Sequence, residues 1–417
     1  MSRTADLLQI LDTAIHAVLP RTIFPAVLKN AAYAEVQYWL SSPTRYLLCI
    51  GKAGVSSAEA MIQLTRCNNY FVLAPKPPVQ IPLEIHYGAH PVPDEDSVQS
   101  SQQLLEWLQS IPSDAHLLVI LSGGSSALLV SPAQGLSLES KREVNELLIR
   151  SGASIQEINA VRKHLSRVKG GRLANITPKD RTVVLAVSDV IGDDLSTIGS
   201  GPFYPDPSTF TEARDVLNRY ELWNQVSPEV RNVIQSGIEG KIPETPKQDT
   251  RIPHYVIASN EQARDAAVQK AQELGYGIKT FSRAVHGTVE DVAASFVSFI
   301  RQLKPRTAMV VGGEITVKVS GTGTGGRNQH LALLVTELLA GSDATFAAVG
   351  TDGVDGNSPV AGAWTDGRTL SRAMRQNLDI NQSIENFDAY HFFDPLKQTI
   401  ATQPTGTNVM DLYLALT

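Results

Sequence analysis

At 417 residues the chain is too long for one ordinary core, so two domains are expected. A hydrophobic fraction of 42% and a charged fraction of 19% are those of a globular protein, and a net charge of -6 argues against nucleic acid, which is held mainly by Lys and Arg. No apolar stretch approaches the ~20 residues of a bilayer span, and two cysteines, Cys49 in an apolar run and Cys67 in a polar turn, form neither a disulfide framework nor a metal cluster, which points to a reducing cytoplasm.

The chain opens with spaced leucines interrupted by Asp6 and Asp12, an amphipathic helix rather than a signal or transit peptide. The run YLLCI then ends at Gly51-Lys52-Ala53-Gly54, which places Lys52 over the carboxyl end of a sheet, as a phosphate contact or a solvated loop lysine. HYGAHPVPDEDSV reads as a short strand, a proline-stiffened loop and a helix capped near Asp96 or Ser97. His90, in that loop, is either a substrate contact or bonded to backbone. The most informative stretch is LLVILSGGSSA, residues 117–127, a buried-strand pattern that stops at Ser122, Gly123, Gly124, Ser125 and Ser126. With a helix beginning near Ala127 those residues make an anion cradle; without a ligand they are a tight turn.

From Ile155 to Lys169 the apolar residues form one helical stripe, leaving Arg162, Lys163, Arg167 and Lys169 opposite it. That basic face reads as solvated or as nucleotide-attracting, with Gly170 and Gly171 ending the helix. The strand TVVLAV leads to Asp189, and Asp193 and Asp194 follow the Gly192 turn. These carboxylates suit Mg²⁺, and turn capping is the competing role for Asp193 and Asp194. Proline, glycine and charge gather between 240 and 250, dividing the chain into domains 1–245 and 246–417. A strand and an Asn-capped helix then begin at HYVIASN.

In the second half, strand 308–311 ends at Gly312-Gly313-Glu314, ITVKV alternates as a half-exposed strand, and GTGTGGRNQ opens a helix. Gly321, Gly323 and Gly326 satisfy G-x-G-x-x-G, but Asp343 precedes the next strand where a dinucleotide site wants an acid after it. The loop therefore reads as a phosphate grip, with Gly325, Asn328 and the fork of Arg327. Asp352, at the end of ATFAAVG, suits metal, ribose or a plain turn, and Thr405 to Asn408 form a further Thr/Gly/Asn loop.

Taken together, GKAG, GAHPVPDEDSV, VILSGGSSALL, HLSRVKGGRLA, SDVIGDD with GSGPF, GGEITVKVSGTGTGGRNQ, GTDGVDG and PTGTNVMDL resemble, in order and spacing, the glycerate 2-kinase family, whose C-terminal half is known as the MOFRL domain. The resemblance implies an α/β enzyme of two domains, an N-terminal Rossmann-like parallel sheet with flanking helices and a smaller C-terminal α/β domain, with the active site in the interdomain cleft. It implies transfer of the γ-phosphoryl of ATP, with Mg²⁺, to the 2-hydroxyl of D-glycerate. From charge, hydropathy and cysteine usage the expected setting is the cytoplasm with no nucleic-acid or membrane partner, and a monomer or homodimer is expected. The family's functional lysine and arginine fall on Lys52 and Arg327. Two positions depart from the pattern: His330 stands where Glu usually follows GGRNQ, and Gln403 where Gly is common before PTGTN.

On this reading Lys52 and Arg327 hold the transferring phosphoryl and the glycerate carboxylate, and Asp189, with Asp193, takes Mg²⁺ or orients the hydroxyl. The two glycine loops divide the substrate and nucleotide phosphates, and His90, Glu314, Asp352, Thr405 and Asn408 are further candidates for the cleft. The alternatives are an NAD(P)-dependent hydroxypyruvate reductase and a phosphosugar-binding module without turnover.

Overall fold

The computed structural model describes residues 2–77, 80–248, 251–281 and 284–417. The chain forms two compact units, Phe24–Ile257 and a second made of Met1–Ile23 with Ala258–Thr417. Composition suggested a division at 245/246, the last two residues of that 240–250 stretch lying outside the described residues. The chain instead crosses at 257/258, after one more strand has joined the first sheet. The first helix, Arg3–Ala17, belongs with the C-terminal segment. Its stripe of Leu7, Ile10, Leu11 and Ala14 is buried, it packs on the helix Asn260–Glu273, and Asp6 accepts a 2.9 Å bond from Tyr276 Oη.

The first unit holds β1 (Arg45–Ile50), β2 (Asn69–Ala74), β3 (His86–Tyr87), β4 (His116–Ser122), β5 (Thr182–Val187) and β6 (His254–Ala258), in the order β3-β2-β1-β4-β5-β6. The β1–β2, β1–β4, β2–β3 and β4–β5 pairs are parallel. Strands buried on both faces must be apolar throughout, which is why LLCI, LLVIL and VVLAV are unbroken runs. Leu48, Ile50, Val119, Leu121 and Val184 form the core with Leu104 and Leu108. The last two come from the helix Glu95–Ser110, capped by Asp94, two residues before the expected Asp96, because Asp94 and Ser97 close a reciprocal capping box. Successive strands run outward from β1 and then restart at β4, so the order reverses between β1 and β4. Open α/β sheets bind ligands at the carboxyl ends of such a pair.

A helical layer of Leu138–Arg150, Ile155–His164, Phe210–Arg219 and Pro228–Ile238 closes around Leu148, Val161, Phe210, Leu217 and Ile234. The helix begun at Ile155 stops at His164, so Lys169 lies beyond it. Lys163 and Lys169 are buried, which corrects the reading of one solvated basic face.

The second unit holds β7 (Gly277–Lys279), β8 (Thr307–Gly313), β9 (Thr345–Gly350), β10 (Gly362–Asp366), β11 (Thr399–Ile400) and β12 (Asp411–Leu416), in the order β11-β10-β9-β12-β8-β7. Only β7–β8 is parallel among its pairs. The closing apolar segment is thus a central strand, and Tyr413 joins Phe296, Val311, Val335 and Phe346 in the core. ITVKV forms no strand, pairing only through a bridge from Thr316 to Thr288. The helix after β6 is capped by Ser259, one residue before Asn260. No single helix among the described residues is long and apolar enough to cross a membrane.

Candidate active site

The carboxyl ends of β1 and β4 are stitched together. Ser122 Oγ donates to Ile50 O and accepts from the Ala53 N–H, both at 3.1 Å, and the Lys52 N–H donates to Gly123 O at 2.8 Å. Gly51 has a φ of +119°, and a Cβ there would lie 2.2 Å from Ser122 Oγ, so the two turns close only with glycine. The other side chains gather around the next two glycines. A Cβ on Gly123 would lie 1.8 Å from Asp189 Oδ2; one on Gly124 would meet Lys52 Cγ and His90 Cδ2, each at 3.0 Å. Lys52, His90, Asp189 and the Ser122–Ser126 turn therefore converge.

Lys52 is exposed and makes no ion pair among the described residues. Crowding of the His90 ring by its surroundings, aided by the Lys52 charge, lowers its pKa to about 4, so the ring is neutral near pH 7. The expected helix start is one short turn, Ser125–Leu128, whose Ala127 and Leu128 N–H groups return to Gly124 O. The N–H groups of Gly124, Ser125 and Ser126 find no protein acceptor among the described residues, leaving donors for an anion.

Sequence reasoning missed what lies behind this turn. Lys169 Nζ donates to Ser126 O at 2.8 Å and Ser126 Oγ at 3.0 Å; Ser126 Oγ also meets Ser200 Oγ at 3.0 Å, and Ser200 Oγ donates to Asn159 Oδ1 at 3.0 Å. The available signal was position: Lys169 directly precedes Gly170 and Gly171, both with positive φ, where a helical stripe has no reason to continue.

The acids after β5 separate by role. Asp194 accepts from the Ser196 N–H and from the Ser196 and Thr197 hydroxyls, which is the capping alternative. Asp193 sits in the turn with a φ of +55° and its N–H on Val190 O. No group of three or more His, Cys, Asp or Glu among the described residues is placed to share a metal. Mg²⁺ asks for less, one or two carboxylate oxygens with water and phosphate, and Asp189 fits that by donor type and by its place over Gly123.

In the second unit Arg327 is the first residue of the helix Arg327–Leu338. Its guanidinium is engaged: Nε and Nη2 reach the Asp411 carboxylate at 2.6 and 3.1 Å, and Nη1 reaches Glu314 at 2.5 Å. Asp411 begins β12 and is buried. Burial pushes its pKa up to about 6 against the pull of Arg327. For Arg327 burial works against the charge, and Asp411 with Glu314 outweighs it, raising the pKa further. The expected phosphate grip differs from what the structure builds. Thr322 N–H donates to Asn386 Oδ1, Gly323 N–H to Asn386 O, Thr324 N–H to Asp388 Oδ1 and Gly325 N–H to Asn357 Oδ1. The helix start beyond Gly326 is capped by buried Asp355, which takes the Asn328 and Gln329 N–H groups at 3.1 and 2.8 Å. Asn328 is buried, its Nδ2 tied to Asp355 and Asp411 and its Oδ1 without a hydrogen-bond partner among the described residues. A Cβ on Gly321 or Gly323 would overlap the backbone of Asn386 or Asp388. Close packing explains these glycines. Asp352, Thr405 and Asn408 serve turns: Asp352 accepts from Val354 N–H, Thr405 Oγ1 donates to Thr351 O, and Asn408 Oδ1 accepts from Met410 N–H.

A parallel sheet whose switch-point turns present free amides, a lysine and a carboxylate defines an α/β enzyme acting on a small anion. Comparison with known proteins narrows the class. The model described as a domain of unknown function (DUF4147) matches residues 6–235, and that of the MOFRL family matches 307–411. Glycerate 2-kinase of Pyrococcus horikoshii is 35% identical over 80% of this chain and 78% of its own. D-glycerate 2-kinase of Thermotoga maritima is 33% identical over 98% and 97%. The crystal structure of glycerate kinase from Thermotoga maritima superposes with a TM-score of 0.86 at 33% identity, covering 99% of this chain and 98% of that one. The chain belongs to the glycerate kinase family.

Proposed function

We propose that this chain transfers the γ-phosphoryl group of ATP to the 2-hydroxyl of D-glycerate, giving 2-phosphoglycerate and ADP. The observation that carries the reading is the convergence of Lys52, Asp189 and the Ser122–Ser126 amides at the β1/β4 ends; the names of the relatives support it. Phosphoryl transfer demands positioning and charge neutralisation rather than covalent help. The free amides bind an oxyanion and the Lys52 ammonium offsets its charge. Asp189 orients the attacking hydroxyl or supplies a hard oxygen to Mg²⁺, with Asp193 four residues on as the second donor. Mg²⁺, when bound, would neutralise charge on the phosphate oxygens. Neutral His90 offers a hydrogen bond without adding charge. Arg327 keeps one N–H on each terminal nitrogen beyond those given to Asp411 and Glu314, and in this reading offers them to a substrate anion.

The reductase reading loses its footing in the second unit. A pyrophosphate needs the amides of a G-x-G-x-x-G turn, and here side chains hold them. The test is to incubate the purified protein with ATP, Mg²⁺ and D-glycerate, follow ADP, and identify the phosphoglycerate by NMR. Glycerate-dependent ADP with 2-phosphoglycerate is expected, falling about 100-fold or more in Lys52→Ala. No ADP, with NADH or NADPH oxidised by hydroxypyruvate, would reverse the reading.

A further inference from the structure

Two neighbouring lysines of the first unit are treated differently by the fold. Lys163 is buried and has a carboxylate, Asp206, at 3.2 Å. Lys169, only 2% exposed, has none among the described residues; its Nζ meets only the carbonyl and hydroxyl oxygens of Ser126. The groups facing it are bases and not acids, Lys141 among them with a pKa that burial lowers to about 7. Lys141, from the helix Leu138–Arg150, is buried with its Nζ on Leu165 O, and Arg162, from the helix Ile155–His164, bonds to Asn145. The acids nearby are already spent: Asp206, which lies against Gly170, serves Lys163, and Glu244 pairs with His164.

A buried charge without a counter-charge is costly unless something supplies one. The free amides of the turn that Lys169 touches are where an oxyanion would sit, so a ligand there would supply the missing charge. We propose that Lys169 is a positioning residue that acts through Ser126 to make the Ser122–Ser126 turn select an oxyanion, and that the anion draws a proton onto Lys169 as it binds. The inference rests on the reading of this turn as a binding loop and deepens it. Ser126 is the link, since its hydroxyl is fixed between Lys169 and Ser200. Burial first, and then Lys141 and Arg162, hold the Lys169 pKa well below the usual lysine value, leaving room for an anion to raise it. Affinity for the anion therefore falls as pH rises through the pKa of the bound state.

The experiment is calorimetric titration of the intact protein with D-glycerate, with ADP and with inorganic phosphate. It is run in two buffers of different ionisation heat, at alkaline pH where phosphate groups are fully ionised. Net proton uptake is expected with D-glycerate if the turn holds a carboxylate, or with ADP and phosphate if it holds a phosphate. Lys169→Arg should bind without uptake, because guanidinium does not lose its proton. Lys169→Met should bind about 10- to 100-fold more weakly. A merely structural lysine would alter stability and leave proton uptake at zero. Binding without uptake in the unmodified protein, uptake that persists in Lys169→Arg, or no binding of any of the three ligands overturns the proposal. The unmodified protein and Lys169→Arg decide the matter even if Lys169→Met does not fold. Failure of the kinase reading shows separately, as absent ADP release.

Discussion

The two glycine-rich turns of this chain, Ser122–Ser126 and Gly321–Gly326, look alike as strings and differ as objects. In the first, the glycines let two strand ends close and leave successive N–H groups open, with Asp189 over Gly123 and Lys52 and His90 beside Gly124. In the second, Asn386, Asp388 and Asn357 hold the amides, and Asp355 caps the helix that follows. A glycine thus serves close approach in both, but only the first turn keeps its donors for something else. What separates them is the placement of Asx side chains 30 to 65 residues away, a matter of tertiary structure.

Exchanging one glycine in each turn sharpens the contrast. Gly123→Ala would drive a methyl group into the Asp189 carboxylate, and displacement of about 1 Å near reacting groups costs ~100-fold in rate. Steady-state kinetics should show that loss in kcat/KM with the urea midpoint little changed. Gly323→Ala would place its Cβ 2.5 Å from Asp388 Cβ and 2.7 Å from Asn386 O, so denaturant unfolding should show a loss of about 1–3 kcal/mol while the folded fraction keeps its kcat. An unchanged rate in the first variant, or a lost rate with full stability in the second, would exchange the roles of the turns.

The smallest effect concerns pH. His90 has a folded pKa of about 4, below its unfolded value, so the unfolded chain binds more protons between about pH 4 and 6.5 and stability falls as pH drops through that window. The ring is exposed, so solvent screening holds the contribution to about 1 kcal/mol or less. Comparing urea midpoints of the unmodified chain and His90→Gln across that range should show a shallower slope in the variant. Identical slopes would remove His90 from beside Lys52.

Local pattern sufficed for the features that depend on local chemistry. The apolar runs of β1, β4 and β5, the turns that end them, and Lys52 and Asp189 at those ends were all legible, because burial on both faces and tight turning leave marks within about ten residues. The rest depended on distant partners. Nothing in ITVKV announces that it will pair only through Thr316, or in the first helix that its leucines belong with Asn260–Glu273. Lys169 passed for a surface lysine because a stripe carried past His164 groups it with Arg162, Lys163 and Arg167, whereas its neighbours in space are Ser126 and the helix bearing Lys141. Arg327 was legible as a helix-start arginine, but its bond to Asp411 spans 84 residues and is invisible in the string.

The central claim, that the first glycine turn and not the second takes the anion, is tested most directly by NMR on protein labelled with ¹⁵N at glycine. Adding D-glycerate and then ADP with Mg²⁺ should shift the Gly123 and Gly124 amides and leave those of Gly323 and Gly325 in place, since Asn386 and Asn357 hold them. Shifts confined to the Gly321–Gly326 turn, with Gly123 and Gly124 unmoved, would contradict the account.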